Sequence, residues 1–155
     1  MKKFLFILTF GLFFGCDHND KTFRLEISPS LFLYQKPQYE DLQQSNFPID
    51  LIYPSSKIHY FVHLERTGIW TPDQYALLLE IPHSQIEKVL TFYKNILKIK
   101  EWQILQSKQI HVKEKDLMIY FINAQDYLNR NLSLLIEESK KKVQVKIYIK
   151  KLTDE

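Results

Sequence analysis

Leu132-Ser133-Leu134-Leu135-Ile136-Glu137-Glu138-Ser139-Lys140-Lys141-Lys142-Val143-Gln144-Val145-Lys146-Ile147-Tyr148-Ile149-Lys150 decides the fold class. Val143, Val145, Ile147 and Ile149 alternate with Gln144, Lys146, Tyr148 and Lys150. That period of two marks a strand with one apolar face, because successive side chains point to opposite sides of a pleated backbone. Leu132, Leu134 and Ile136 repeat the pattern, and the polar turn Glu138 to Lys142 joins the two runs. Short strands joined by a short turn pair antiparallel.

Working outward, the same period recurs. Leu117, Ile119 and Phe121 mark the strand before this hairpin. Trp102, Ile104 and Gln106 begin another, which runs on through Ile110 and Val112. Upstream, Ile58, Tyr60, Val62 and Leu64 form one inward set, and Tyr75, Leu77, Leu79 and Ile81 form a second that Pro82 ends. The segment between Pro82 and Trp102 reads differently. Ile86, Val89, Leu90, Tyr93, Ile96 and Leu97 recur at helical spacing, which predicts an amphipathic helix over 84–99 with Val89 and Tyr93 facing the sheet. Ser84 and Glu87 fit a capping box at its start. The resulting order is β-β-α-β-β-β-β. One helix must bury its apolar stripe on one face of the antiparallel sheet, so the expected class is α+β.

Residues 49–155 are expected to form this single domain, preceded by a tether over 16–48 and a leader over 1–15. The tether carries Pro29, Pro37 and Pro48. Phe23, Leu25 and Ile27 alternate with Arg24 and Glu26 as a strand would. That segment can complete the domain's own sheet or pair with another protein.

The leader has its own grammar. Lys2 and Lys3 precede an apolar run from Phe4 to Phe14 in which only Thr9 is polar. The run is shorter than the ~20 apolar residues a spanning helix needs, and has the length of a signal-peptide core. It ends in Leu12-Phe13-Phe14-Gly15-Cys16, and Cys16 is the only cysteine. This resembles the lipobox of bacterial lipoproteins, with Phe13 and Phe14 departing from its usual residues. The resemblance implies cleavage before Cys16, lipidation of its thiol, and a place in the bacterial cell envelope, with inner and outer membrane both open.

Tyr53-Pro54-Ser55-Ser56-Lys57-Ile58, Val89-Leu90-Thr91-Phe92-Tyr93-Lys94 and Trp102 carry a second likeness. They resemble uncharacterised small α+β lipoprotein domains, with Glu101 where those have Gly. That resemblance implies fold and location and brings no catalytic residues.

Composition narrows the function classes. The chain of 155 residues has 21 Lys and Arg against 18 Asp and Glu, and losing Lys2 and Lys3 takes the cations to 19. Near-neutral charge argues against a nucleic-acid binder. Three glycines supply no phosphate-cradling loop, and one cysteine supplies neither a disulfide nor a thiolate metal site. No Ser sits in a Gly-x-Ser-x-Gly turn. His59, His63 and Glu65 could hold a metal in principle, but on a strand a solvated face is the better reading. No catalytic residue, metal or cofactor is expected. The expected function is a non-enzymatic protein-interaction module, anchored to the membrane by lipid; the alternative is a small-ligand or lipid carrier. Trp70 and Phe61 are the expected apolar anchors for a protein partner. Lys146 and Lys150 are expected to blunt the final strand as a sheet edge.

Overall fold

A computed structural model of the chain describes residues 23–65, 73–82 and 85–151. Strands β1 (Phe23–Ser28) and β2 (Leu31–Gln35) come first, followed by a short helix α1 (Tyr39–Gln44) and a 3-10 turn, Ile49–Leu51. Then come β3 (Lys57–Leu64), β4 (Gln74–Pro82), helix α2 (Ile86–Ile99), β5 (Gln103–Val112), β6 (Leu117–Gln125), β7 (Arg130–Glu138) and β8 (Lys142–Lys151). All eight strands join one sheet in the order β1-β2-β3-β4-β8-β7-β6-β5, and every neighbouring pair is antiparallel. The class is α+β, as the alternation predicts.

The order of elements departs from expectation at the N-terminal end. From Lys57 on it runs β-β-α-β-β-β-β, but two strands precede it. The segment 23–48, expected as a tether with a possible docking strand, packs onto the sheet. β2 pairs with β3, and Phe32, Tyr34, Leu42 and Phe47 are buried in the common core. The fold begins well before Ile49.

One face of the sheet is covered by α2 together with α1 and the 3-10 turn. Val89, Tyr93 and Leu97 are fully buried on the helix, as its apolar stripe predicts. They meet Leu77, Leu79 and Ile81 of β4, Leu132, Leu134 and Ile136 of β7, and Val143 to Ile149 of β8 in one core. The N-cap is Gln85, with no side-chain cap bond; Ser84, of the expected capping box, lies outside the described residues. The helix starts at Ile86.

Three strands present faces other than those their alternation suggests. In β3 the ladder shifts between Ile58 and Tyr60, skipping His59. Such a bulge flips every later residue to the other side. Phe61 and His63 are consequently buried while Tyr60 is exposed. In β6 the inward residues are Ile122 and Ala124, with Tyr120 packed beside them, rather than Leu117, Ile119 and Phe121. In β5 almost every side chain is exposed, Ile104 included, and Trp102 is buried just before the strand.

β8 is not an edge. It lies between β4 and β7, and Lys146 makes a 2.6 Å contact to Glu137 across the sheet's uncovered face. The edges are β1 and β5.

Candidate partner-binding edge

β5 is ten residues long and, among the described residues, hydrogen-bonded to β6 alone. Half of an edge strand's backbone N–H and C=O groups point outward, away from their single neighbour, and offer a template for another strand. Ile104, Leu105 and Ile110 expose about half of their surface along this edge (47%, 52% and 50%). The ladder shifts between Ile104 and Gln106, which leaves Leu105 bulged. Lys108 is the one Lys, Arg, Asp or Glu in the strand.

Both ends of β5 are fastened. At its start, buried Trp102 lies 5.4 Å beneath the Arg130 guanidinium. That guanidinium binds buried Asp126 through Nε at 2.7 Å and Nη2 at 2.6 Å. Asp126 Oδ1 also accepts the Leu128 and Arg130 amides at 3.0 and 2.9 Å, which fixes the β6–β7 turn. At the far end, a 3-10 turn over Lys113–Lys115 leads to Asp116 in the left-handed region (φ 47°). Asp116 takes the Lys140 ammonium at 2.8 Å, and that ammonium holds its carboxyl below the usual range. His111, at 3.9 Å, stands on the same carboxylate. A hollow of about 280 Å³ opens here between His111, Asp116, Met118, Glu138, Ser139 and Lys140. The edge is thus an exposed strand with an adjoining recess, and an exposed edge is what β-augmentation requires.

The side chains singled out from the sequence fall elsewhere. Cys16 and Trp70 lie outside the described residues, as do His18 and His83. Phe61 is fully buried and cannot anchor a partner from the surface. Its ring stacks on Tyr75 at 6.2 Å and meets Tyr34 and Phe47 at 5.4 and 5.6 Å. The bulge beside His59 accounts for the error, since it turns Phe61 inward.

His59, His63 and Glu65 do not converge. His59 Nε2 stands 3.5 Å from Glu80, which also receives Lys142 at 2.8 Å and is held below the usual carboxylate range by that bond. Buried His63 stacks against Tyr75 at 4.8 Å, and its Nε2 is 3.6 Å from Asp73. Burial, with Asp73 nearby, pushes the Tyr75 phenol up to about 12. Among the described residues no three His, Cys, Asp or Glu side chains group closely enough to hold a metal ion.

The carrier alternative needs space between helix and sheet. There, Tyr93 is fully buried and its hydroxyl donates to the Leu51 carbonyl at 3.1 Å, so the ring and its bond fill the centre of that layer. Two further hollows bounded by described residues lie on the outside. One, about 350 Å³, is lined by Lys36 to Tyr39 and Ser56 to Ile58; the other, about 380 Å³, lies along α2 beside Phe92. Among the described residues no helix is long and apolar enough to cross a membrane.

Sequence reasoning missed β5 as the edge. The signal was present as three aliphatic side chains in a strand with weak alternation, but strand order depends on long-range pairing that periodicity does not encode. No family model, curated protein or solved structure matches this chain.

Proposed function

We propose that this chain is a lipoprotein of the bacterial cell envelope, held at a membrane through lipid on Cys16. In this reading it is a non-enzymatic module that takes a protein partner along β5. The ten-residue edge, paired on one side only and carrying exposed Ile104, Leu105 and Ile110, is the observation that supports the interaction role. Backbone pairing supplies affinity in such a complex, and the alternating side chains supply selectivity. The anchor is supported by the basic Lys2-Lys3, the apolar run to Phe14 and the position of Cys16. Two or more acyl chains hold a protein stably at a bilayer, where one does so only marginally.

A photo-crosslinking residue at Ile110, with a matched one at exposed Lys94 on α2, tests the role of β5 in native membranes. A discrete adduct from position 110 and none from position 94 is the expected result. Equal adducts from both positions, or none from either, would reject β5 as the binding edge.

A further inference from the structure

We infer that the opposite edge of the sheet, β1, rests on the lipid bilayer through Phe23, Leu25 and Ile27; this rests on the reading of Cys16 as the anchor. The three side chains are among the more exposed large apolar groups in the fold, at 60%, 45% and 55%. Among the described residues β1 pairs only with β2. Leu25 stands opposite Leu33 and Phe23 opposite Gln35, on the face of the sheet that the helices leave open. Arg24 points the other way, and its guanidinium folds onto the Phe32 ring at 4.2 Å and toward Tyr34 at 5.6 Å. Glu26, the other charged residue of β1, stands opposite buried Phe32 as Arg24 stands opposite buried Tyr34, so both charges lie on the face away from Phe23 and Leu25.

The position of the chain selects lipid as the occupant. Phe23 follows Cys16 by seven residues, a stretch that cannot span more than about 25 Å even when fully extended. A lipid on Cys16 therefore keeps β1 close to the bilayer at a high effective concentration. A contact too weak to act alone becomes populated under such a tether. The same geometry separates the two edges: in an eight-stranded sheet, seven spacings place β5 about 34 Å across the sheet from β1.

The single cysteine gives a clean test. Once Cys16 is acylated, Leu25→Cys supplies the only free thiol, and Ile110→Cys supplies the control on β5. Each lipidated variant is labelled with an environment-sensitive fluorophore and placed in phosphatidylcholine vesicles carrying a nitroxide lipid. The expected result is a blue-shifted, lipid-quenched label at position 25 and a water-like, unquenched label at position 110. A water-like label at 25 overturns the inference. So does a label at 25 that is shielded yet unquenched, because a protein surface, such as a second copy, then covers β1. Labelling of the unsubstituted chain would show a free Cys16 and reject the anchor instead. In that event the Cys16→Ser, Leu25→Cys chain, held on nickel-chelating lipid by an N-terminal histidine tag, reads the edge contact by the same two signals.

Discussion

The Tyr93 hydroxyl donates to the Leu51 carbonyl at 3.1 Å, joining the middle of α2 to the 3-10 turn that precedes β3, 42 residues away in sequence. Both residues are buried, at 0% and 1% exposure. Burial drives the Tyr93 phenol far above its ordinary range, which favours its protonated, hydrogen-donating form. This bond ties the N-terminal third of the chain to the helix that covers the sheet.

Tyr93→Phe should keep the packing and leave the Leu51 carbonyl without its partner. An unsatisfied buried acceptor costs about 1–3 kcal/mol, so urea unfolding should show that loss with an unchanged slope. Val89→Asp should be far worse, since a buried unpaired carboxylate costs several kcal/mol. Equal stability of Tyr93→Phe and the unsubstituted chain would show that the bond contributes nothing.

Tyr75 predicts the alkaline limb of stability. Its ordinary value is 10.0 and the fold raises it to about 12, chiefly through burial. A raised value means that the folded state holds the proton more tightly than the unfolded state does. The stability this represents is complete below pH 10 and is lost as pH rises from 10 to 12. Two units correspond to at most about 3 kcal/mol. Tyr75→Phe should flatten this part of the stability profile; an unchanged slope between the two chains would assign the loss to other groups.

What the sequence disclosed, and what it hid, follows from how much each strand depends on its neighbours. β4, β7 and β8 have clean alternation, and their inward residues are those the pattern names: Tyr75 to Ile81, Leu132 to Ile136, Val143 to Ile149. α2 was equally legible from its stripe. β3 misled because a bulge at His59 reverses the facing of Phe61, and no single residue there announces the bulge. β6 misled because Leu117 to Ile122 is apolar on both faces, so a period of two cannot say which face is inside. β1 read as a strand, but its place in the sheet depends on β2, whose buried Phe32 and Tyr34 meet β3, a partner distant in sequence. The two edges, and with them the candidate site, could be found only once that order was known.

Cys16→Ser should abolish incorporation of labelled palmitate and release the chain from sedimented membranes. The domain itself should melt at the same temperature. Undiminished labelling of the variant would place the lipid elsewhere or reject it.

Leu105→Lys with Ile110→Lys adds two charges to an edge strand whose one Lys, Arg, Asp or Glu is Lys108. Lysine on an edge strand discourages a second strand from pairing. Both replaced side chains are about half exposed, at 52% and 50%, so the melting temperature should hold within about ±0.5 kcal/mol of stability. The adduct formed from a crosslinker at position 104 should fall at least about tenfold, the change that 1.4 kcal/mol produces. A stable variant that still gives the full adduct would exclude these side chains from the contact.

Amide hydrogen exchange along Gln103 to Val112 tests the open edge most directly. In the free protein, amides that point toward β6 should be protected and the alternate ones should exchange at nearly the rate of an unstructured chain. When the crosslinked partner's segment is added, the fast set should slow and the protected set should change little. Uniform protection of β5 in the free protein, or an unchanged fast set in the complex, would contradict a strand-accepting edge.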